Sequence, residues 1–94
     1  MLAVLFGCSA ALPVLTDEHV RRVQTRWPTA SLHTLETGRQ KYIDRCGGCH
    51  SLHLPSEFTE EQWRKALDEM HSRARTSVEE QELILRYIVA VRPE

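Results

Sequence analysis

Cys46-Gly47-Gly48-Cys49-His50 places two thiols and an imidazole within five residues at the end of a helical pattern. Residues at i and i+3 share a helix face, and so do residues at i and i+4. Cys46, Cys49 and His50 can therefore all point at one object. The two intervening glycines keep bulk away from that object and tolerate unusual backbone angles. The five residues read C-x-x-C-H, the attachment sequence for a c-type haem: two thiols add across the two vinyl groups of one porphyrin, and the adjacent imidazole binds the iron. Three other readings compete. A structural zinc site wants four ligands, and the motif supplies three, so His53 or His71 would have to complete the set. A thioredoxin-like redox pair sits near a βαβ pattern, which this chain lacks. Two buried cysteines beside a surface histidine is the plainest alternative. The order of the five residues favours haem.

The pattern leading into the motif is helical, and so is the rest of the chain; no strand-like alternation of useful length occurs. Thr16 or Asp17 caps a helix expected to run to about Trp27, where Pro28 stops it. Val20, Val23 and Trp27 form its apolar stripe. A second helix is expected from Ser31 or Thr34 to Cys46, with Leu35, Gly38, Arg39, Tyr42 and Ile43 at helical intervals. Gly38 costs about 1 kcal/mol inside a helix relative to alanine, which suggests a close approach by another element. A third helix begins at Thr59, paired with Gln62 as a cap, and continues to Ser72 or Arg75. A fourth begins at the capping box Ser77-Val78-Glu79-Glu80 and runs to about Val91, with Leu83, Ile84, Tyr87, Ile88 and Val91 as its buried stripe.

Ninety-four residues support one small core. A chain this short often needs a staple such as a metal or cofactor. With 12 basic and 13 acidic side chains, no basic excess exists to neutralise phosphates, which argues against nucleic acid as a partner. Residues 1–15, MLAVLFGCSAALPVL, carry no charge. They are too few to span a bilayer as a helix and resemble the apolar part of an export signal. Leu5-Phe6-Gly7-Cys8 also resembles a bacterial lipobox, which would make Cys8 a lipidated membrane anchor rather than part of a leader that is removed. An apolar terminal helix packed on the domain is the structural alternative, made less favourable by Pro13. The expected division is an export or lipoprotein-type segment at 1–15 and a single domain at 16–94, in which 16–30 is an extension helix and 31–94 the haem core.

The run from Leu35 to Val91 resembles a small class I cytochrome c. In that family an N-terminal helix carrying Gly-x-x-x-aromatic leads into C-x-x-C-H; here the match is Gly38-Arg39-Gln40-Lys41-Tyr42. The C-terminal helix crosses it with an aromatic residue, and Tyr87 is the counterpart opposite Gly38. The resemblance implies an all-α bundle of three to four helices around one covalently bound haem c. It also implies a downstream methionine as sixth iron ligand. Met70 is the only methionine after His50. Independently of the family, Trp63, Ala66, Leu67 and Met70 fall at i, i+3, i+4 and i+7 on one apolar face, so Met70 is expected to point inward. Its ordinary alternative is core filler. His71 is one step round, toward the polar side, and His53 lies only three residues beyond His50. Without Met70 the iron would be five-coordinate or bis-histidine. The interval from His50 to Met70 is short for many class I members and resembles the subgroup in which a Trp-bearing helix supplies the methionine.

A ligating histidine usually donates its other ring N–H to a carbonyl or carboxylate; a backbone carbonyl from Ser51 to Ser56 is expected to serve His50. Pro55 stiffens that loop, and Leu52, Leu54 and Phe58 are expected on the haem rim. Trp63 is expected against a propionate edge or in the core. Arg64, Lys65, Arg73 and Arg75 form a mild basic patch that is either a guide for an acidic partner or a solvated helix face. No paired carboxylates, Ser-His-Asp set or phosphate loop suggests enzymatic chemistry. The expected function is one-electron transfer between redox partner proteins outside the bacterial cytoplasm, in the periplasm or on the outer face of a membrane. Cys46 and Cys49 would hold the haem, and His50 and Met70 the iron. The alternatives are a haem-based sensor or gas-ligand-binding module with an open sixth position, and a zinc-binding or thiol-redox module.

Overall fold

Each helix starts where a short polar residue can satisfy the free N–H groups of its first turn. The computed structural model describes residues 12–45, 53–73 and 76–92, without the side chains of residues 70–73. Thr16 opens α1 (Asp17–Val23): its hydroxyl accepts the His19 N–H, and His19 Nδ1 accepts the Thr16 N–H. Ser31 and Thr34 exchange the same pair of bonds at the start of α2 (Leu32–Arg45). A 3-10 turn, Pro55–Glu57, leads to α3 (Glu60–Arg73), where Thr59 and Gln62 close a capping box. Ser77 and Glu80 close another on α4 (Val78–Val91). The described residues thus form four α-helices and no strand. The radius of gyration is 13.0 Å, the value of a compact domain of this size.

The expected helix boundaries hold within a residue or two except in α1, which stops at Val23 rather than Trp27. Pro28 disfavours the helical conformation at Trp27. The chain instead turns on the Val23 carbonyl, which accepts both the Arg26 and Trp27 N–H groups. Gln24 Nε2 then donates to the Ala30 carbonyl at 3.0 Å, and Ala30 enters the core. The centroid of the Trp27 ring lies 4.5 Å from the Arg26 guanidinium and 5.2 Å from that of Arg86.

Helix α4 is the hub, in contact with α1, α2, α3 and the 3-10 turn. Its buried arc is therefore wider than one stripe and comprises Ile84, Leu85, Tyr87, Ile88, Ala90 and Val91. Leu83, expected in that stripe, is only partly buried. It contributes its backbone instead: α2 and α4 meet at Gly38, where an added Cβ would lie 2.8 Å from the Leu83 carbonyl carbon and 3.2 Å from Tyr87 Cβ. Two apolar clusters flank this crossing. One joins Tyr42, Trp63 and Leu67 to Ile84 and Ile88; the other joins Val23, Ala30 and Leu35 to Ala90. Each fully buried aliphatic side chain contributes about 1.5–3 kcal/mol.

Residues 12–15 run as a strap over the same two helices. Leu12 is 3% exposed and belongs to the cluster around Tyr42 and Trp63. The Pro13 carbonyl accepts the Tyr87 hydroxyl at 2.7 Å and Arg39 Nε at 3.1 Å. Burial raises the pKa of the Tyr87 phenol above its ordinary value. Leu12 and the Pro13 carbonyl of the expected export segment are thus tied into the domain, although Val14 is exposed, while residues 1–11, Cys8 among them, lie outside the described residues.

Gly38→Ala would force α2 and α4 apart at their crossing. It is expected to lower stability by about 2 kcal/mol or more, as overpacking does, and thermal unfolding of the two proteins side by side measures it. A melting temperature unchanged by the substitution would show that the crossing is not this close.

Candidate functional site

Cys46, Cys49 and His50 lie outside the described residues; the structure describes the chain that enters and leaves them. It enters along the last turn of α2, which ends at Arg45. Three residues after His50, the backbone of His53 is held to that same helix. The Tyr42 hydroxyl donates to the His53 carbonyl at 2.6 Å and accepts the His53 N–H at 3.0 Å. A hydroxyl carries one donor and two acceptor positions, so one oxygen satisfies both polar groups of one residue. Tyr42 is itself 2% exposed, which leaves its hydroxyl in need of such partners.

The exit continues in a fixed path. Leu54 is extended and Pro55 opens the 3-10 turn. The buried Trp63 indole N–H donates to the Pro55 carbonyl at 2.9 Å. Glu57 accepts the Leu54 N–H at 2.8 Å and faces His53 Nδ1 at 2.9 Å. The Leu54 N–H, and after it His53, hold the Glu57 carboxyl below its ordinary pKa. Around these bonds the rings form an edge-to-face chain. Tyr42 lies 5.7 Å from Trp63, Trp63 lies 5.3 Å from Phe58, and Phe58 lies 5.0 Å from His53.

Several expectations about this loop can be placed. The carbonyls of His53, Leu54 and Pro55 already accept bonds from Tyr42, Glu57 and Trp63; those of Ser51 and Leu52 lie outside the described residues. Trp63 is a core residue, 3% exposed. Phe58 packs against the core, whereas Leu54 is 37% exposed. Trp63 and Leu67 are buried and Ala66 is half-buried, so this face of α3 is the core face. The backbone places Met70 on α3 three residues beyond Leu67. The side chains of Met70, His71 and Arg73 lie outside the described residues, as does Arg75. Among the described residues, no three His, Cys, Asp or Glu side chains gather to hold a metal ion.

Two carboxylates organise the cations nearby. Arg26 grips Glu60 with both terminal nitrogens, each at 2.8 Å, and Arg64 adds bonds at 3.0 and 3.1 Å. Together they pull the Glu60 carboxyl down to about 2. Glu80 receives Lys41 at 3.2 Å and Arg45 at 3.1 Å from α2 while capping α4. The Ser77 N–H, then these cations, keep its carboxyl below the ordinary value. Arg64, expected in a basic patch, is thus ion-paired with Glu60, a carboxylate it shares with Arg26. The Arg26 bond to Glu60, the Lys41 and Arg45 bonds to Glu80 and the Tyr42 bond to His53 were not part of the sequence reading, because each joins residues more than ten positions apart.

Compared with known protein families, curated proteins and solved structures, the chain matches none.

Glu60 ionises more readily in the folded chain, so its contribution is present above pH 4.5 and is lost as pH falls toward about 2. Stability is therefore expected to decline across that window, by on the order of 1 kcal/mol from this group, because the pair is partly open to solvent. Glu60→Gln should be less stable at neutral pH and should show a flatter acid limb in urea titrations at successive pH values. An acid limb of unchanged slope would mean that the Arg26 and Arg64 contacts contribute nothing in solution.

Proposed function

We propose that the chain is a small monohaem c-type cytochrome, an electron carrier that works outside the bacterial cytoplasm. The observation that carries the reading is the C-x-x-C-H motif directly following a helix that crosses α4 at Gly38. The donor set suits such a group: two thiols three positions apart with an imidazole beside them for attachment, and one methionine further on as a sixth ligand. When bound, the haem supplies a one-electron iron couple, and a His/Met ligand pair raises its potential relative to other ligand sets.

The chain's own residues have separate tasks in this proposal. Cys46 and Cys49 hold the cofactor covalently, so that it is not lost on dilution. His50 and Met70 would be the residues that bind its iron. Tyr42, Trp63 and Phe58, which flank the motif in sequence, form an apolar cluster of rings, and an apolar surround for the iron would disfavour the more highly charged oxidised state. Export fits this role, since cytochromes of this type are assembled outside the cytoplasm. Among the described residues no helix is long and apolar enough to cross a membrane. A lipid on Cys8 is the means of membrane attachment that this proposal offers.

Intact-mass measurement and absorption spectra of the exported protein test the reading. Wild-type chain made with a haem-maturation system should carry the added mass of one haem. Cys46→Ala with Cys49→Ala should carry none. The oxidised wild type should show the weak red-edge absorption of sulfur ligation, and Met70→Ala should lose it. An unmodified mass with both thiols free to alkylate would refute the proposal; a red-edge band that survives Met70→Ala would refute Met70 as ligand.

A further inference from the structure

We infer that Tyr42 is a positioning residue for haem attachment: its hydroxyl, bonded to both backbone groups of His53, closes the chain on either side of Cys46–His50 into a loop with fixed ends. This inference rests on the haem reading above and assigns the hydroxyl a role within it.

Three observations carry it. First, the ring alone would serve the core. Tyr42 packs edge-to-face on Trp63 and is 2% exposed, and a phenylalanine would keep that contact, so the hydroxyl is an addition that burial makes costly unless it is bonded. Second, it is bonded to the backbone of His53, three residues beyond His50, and through both the N–H and the carbonyl. Two bonds to one residue fix its orientation as well as its distance. Third, the hold continues downstream, where Glu57 and Trp63 bind the Leu54 N–H and the Pro55 carbonyl. The entering chain is equally fixed, because α2 is pinned to α4 at Gly38 and by Lys41 and Arg45 on Glu80. Between Arg45 and His53 lie seven residues that must deliver two thiols and an imidazole to one cofactor. Fixing both ends removes part of the entropy that such a loop would otherwise lose on attachment. Tyr42 in this role need touch neither iron nor porphyrin; it acts through His53.

Tyr42→Phe and Tyr87→Phe separate this role from mere stability. Each removes one buried hydroxyl, and Tyr87 spends its own on Pro13, in the strap. In Tyr42→Phe, exchange of the His53 amide hydrogen should quicken by about five- to tenfold, the factor of one lost hydrogen bond. The fraction of exported chains carrying two thioether links, read by intact mass, should fall several-fold. Tyr87→Phe should lower the melting temperature but leave both readouts at wild-type values. Equal attachment in the two variants would overturn the inference while leaving the haem reading intact. A wild-type chain exported with both thiols free would refute the haem reading and this role with it. Should Tyr42→Phe fail to accumulate folded, the wild-type His53 amide decides: exchange at the rate of an open loop overturns the clamp, and slow exchange upholds it.

Discussion

The contact on which the rest depends is the one between Gly38 and the Leu83 carbonyl. It brings the axes of α2 and α4 closer than any side chain would permit. Glycine costs helix stability by leaving backbone freedom to be lost, and the return lies in what the crossing positions. One turn beyond Gly38, Tyr42 reaches the core against Trp63; one turn further, α2 ends where the motif begins. On the other helix Tyr87 sits over the same crossing and sends its hydroxyl to the strap. A wider crossing would move all of these together.

Much of this was legible locally. Thr16, Ser31, Thr59 and Ser77 each announce a helix start, because a capping side chain and its partner three residues on are sequence neighbours and need nothing from the rest of the fold. Gly38 was legible as a close approach for a related reason: an unfavourable residue inside a helix wants a tertiary cause. The all-α class follows from the same periodicities. The register of the second and fourth helices also came through, since their apolar positions recur at helical spacing and the core selects that face.

What the sequence did not disclose is non-local. Nothing in the spacing says that Tyr42 bonds His53, that Arg26 reaches Glu60, or that Glu80 ties α2 to the first turn of α4; only the Glu60–Arg64 pair, four positions apart on one helix, is a local one. Charged residues scattered along a chain read as solvated faces, and two of those faces are cross-braces. The early end of α1 was missed because the apolar stripe continues through Trp27 while the helix does not: Pro28 acts on the residue before it, and the stripe is completed by a turn. Residues 12–15 were hidden by their neighbours. An uncharged segment is read as a unit, yet part of its end is tied into the domain, with Leu12 in the core and the Pro13 carbonyl satisfying Tyr87.

The strap has a consequence for how the domain could be held. Leu12 enters the core only four positions after Cys8, and Ser9, Ala10 and Ala11 are the whole of the intervening chain. Even fully extended, four residue steps reach no more than about 14 Å. A lipid on Cys8 would therefore act as a short leash. The domain would ride close to the headgroups with its strap side nearest them, and any redox partner would have to approach from the opposite or lateral faces.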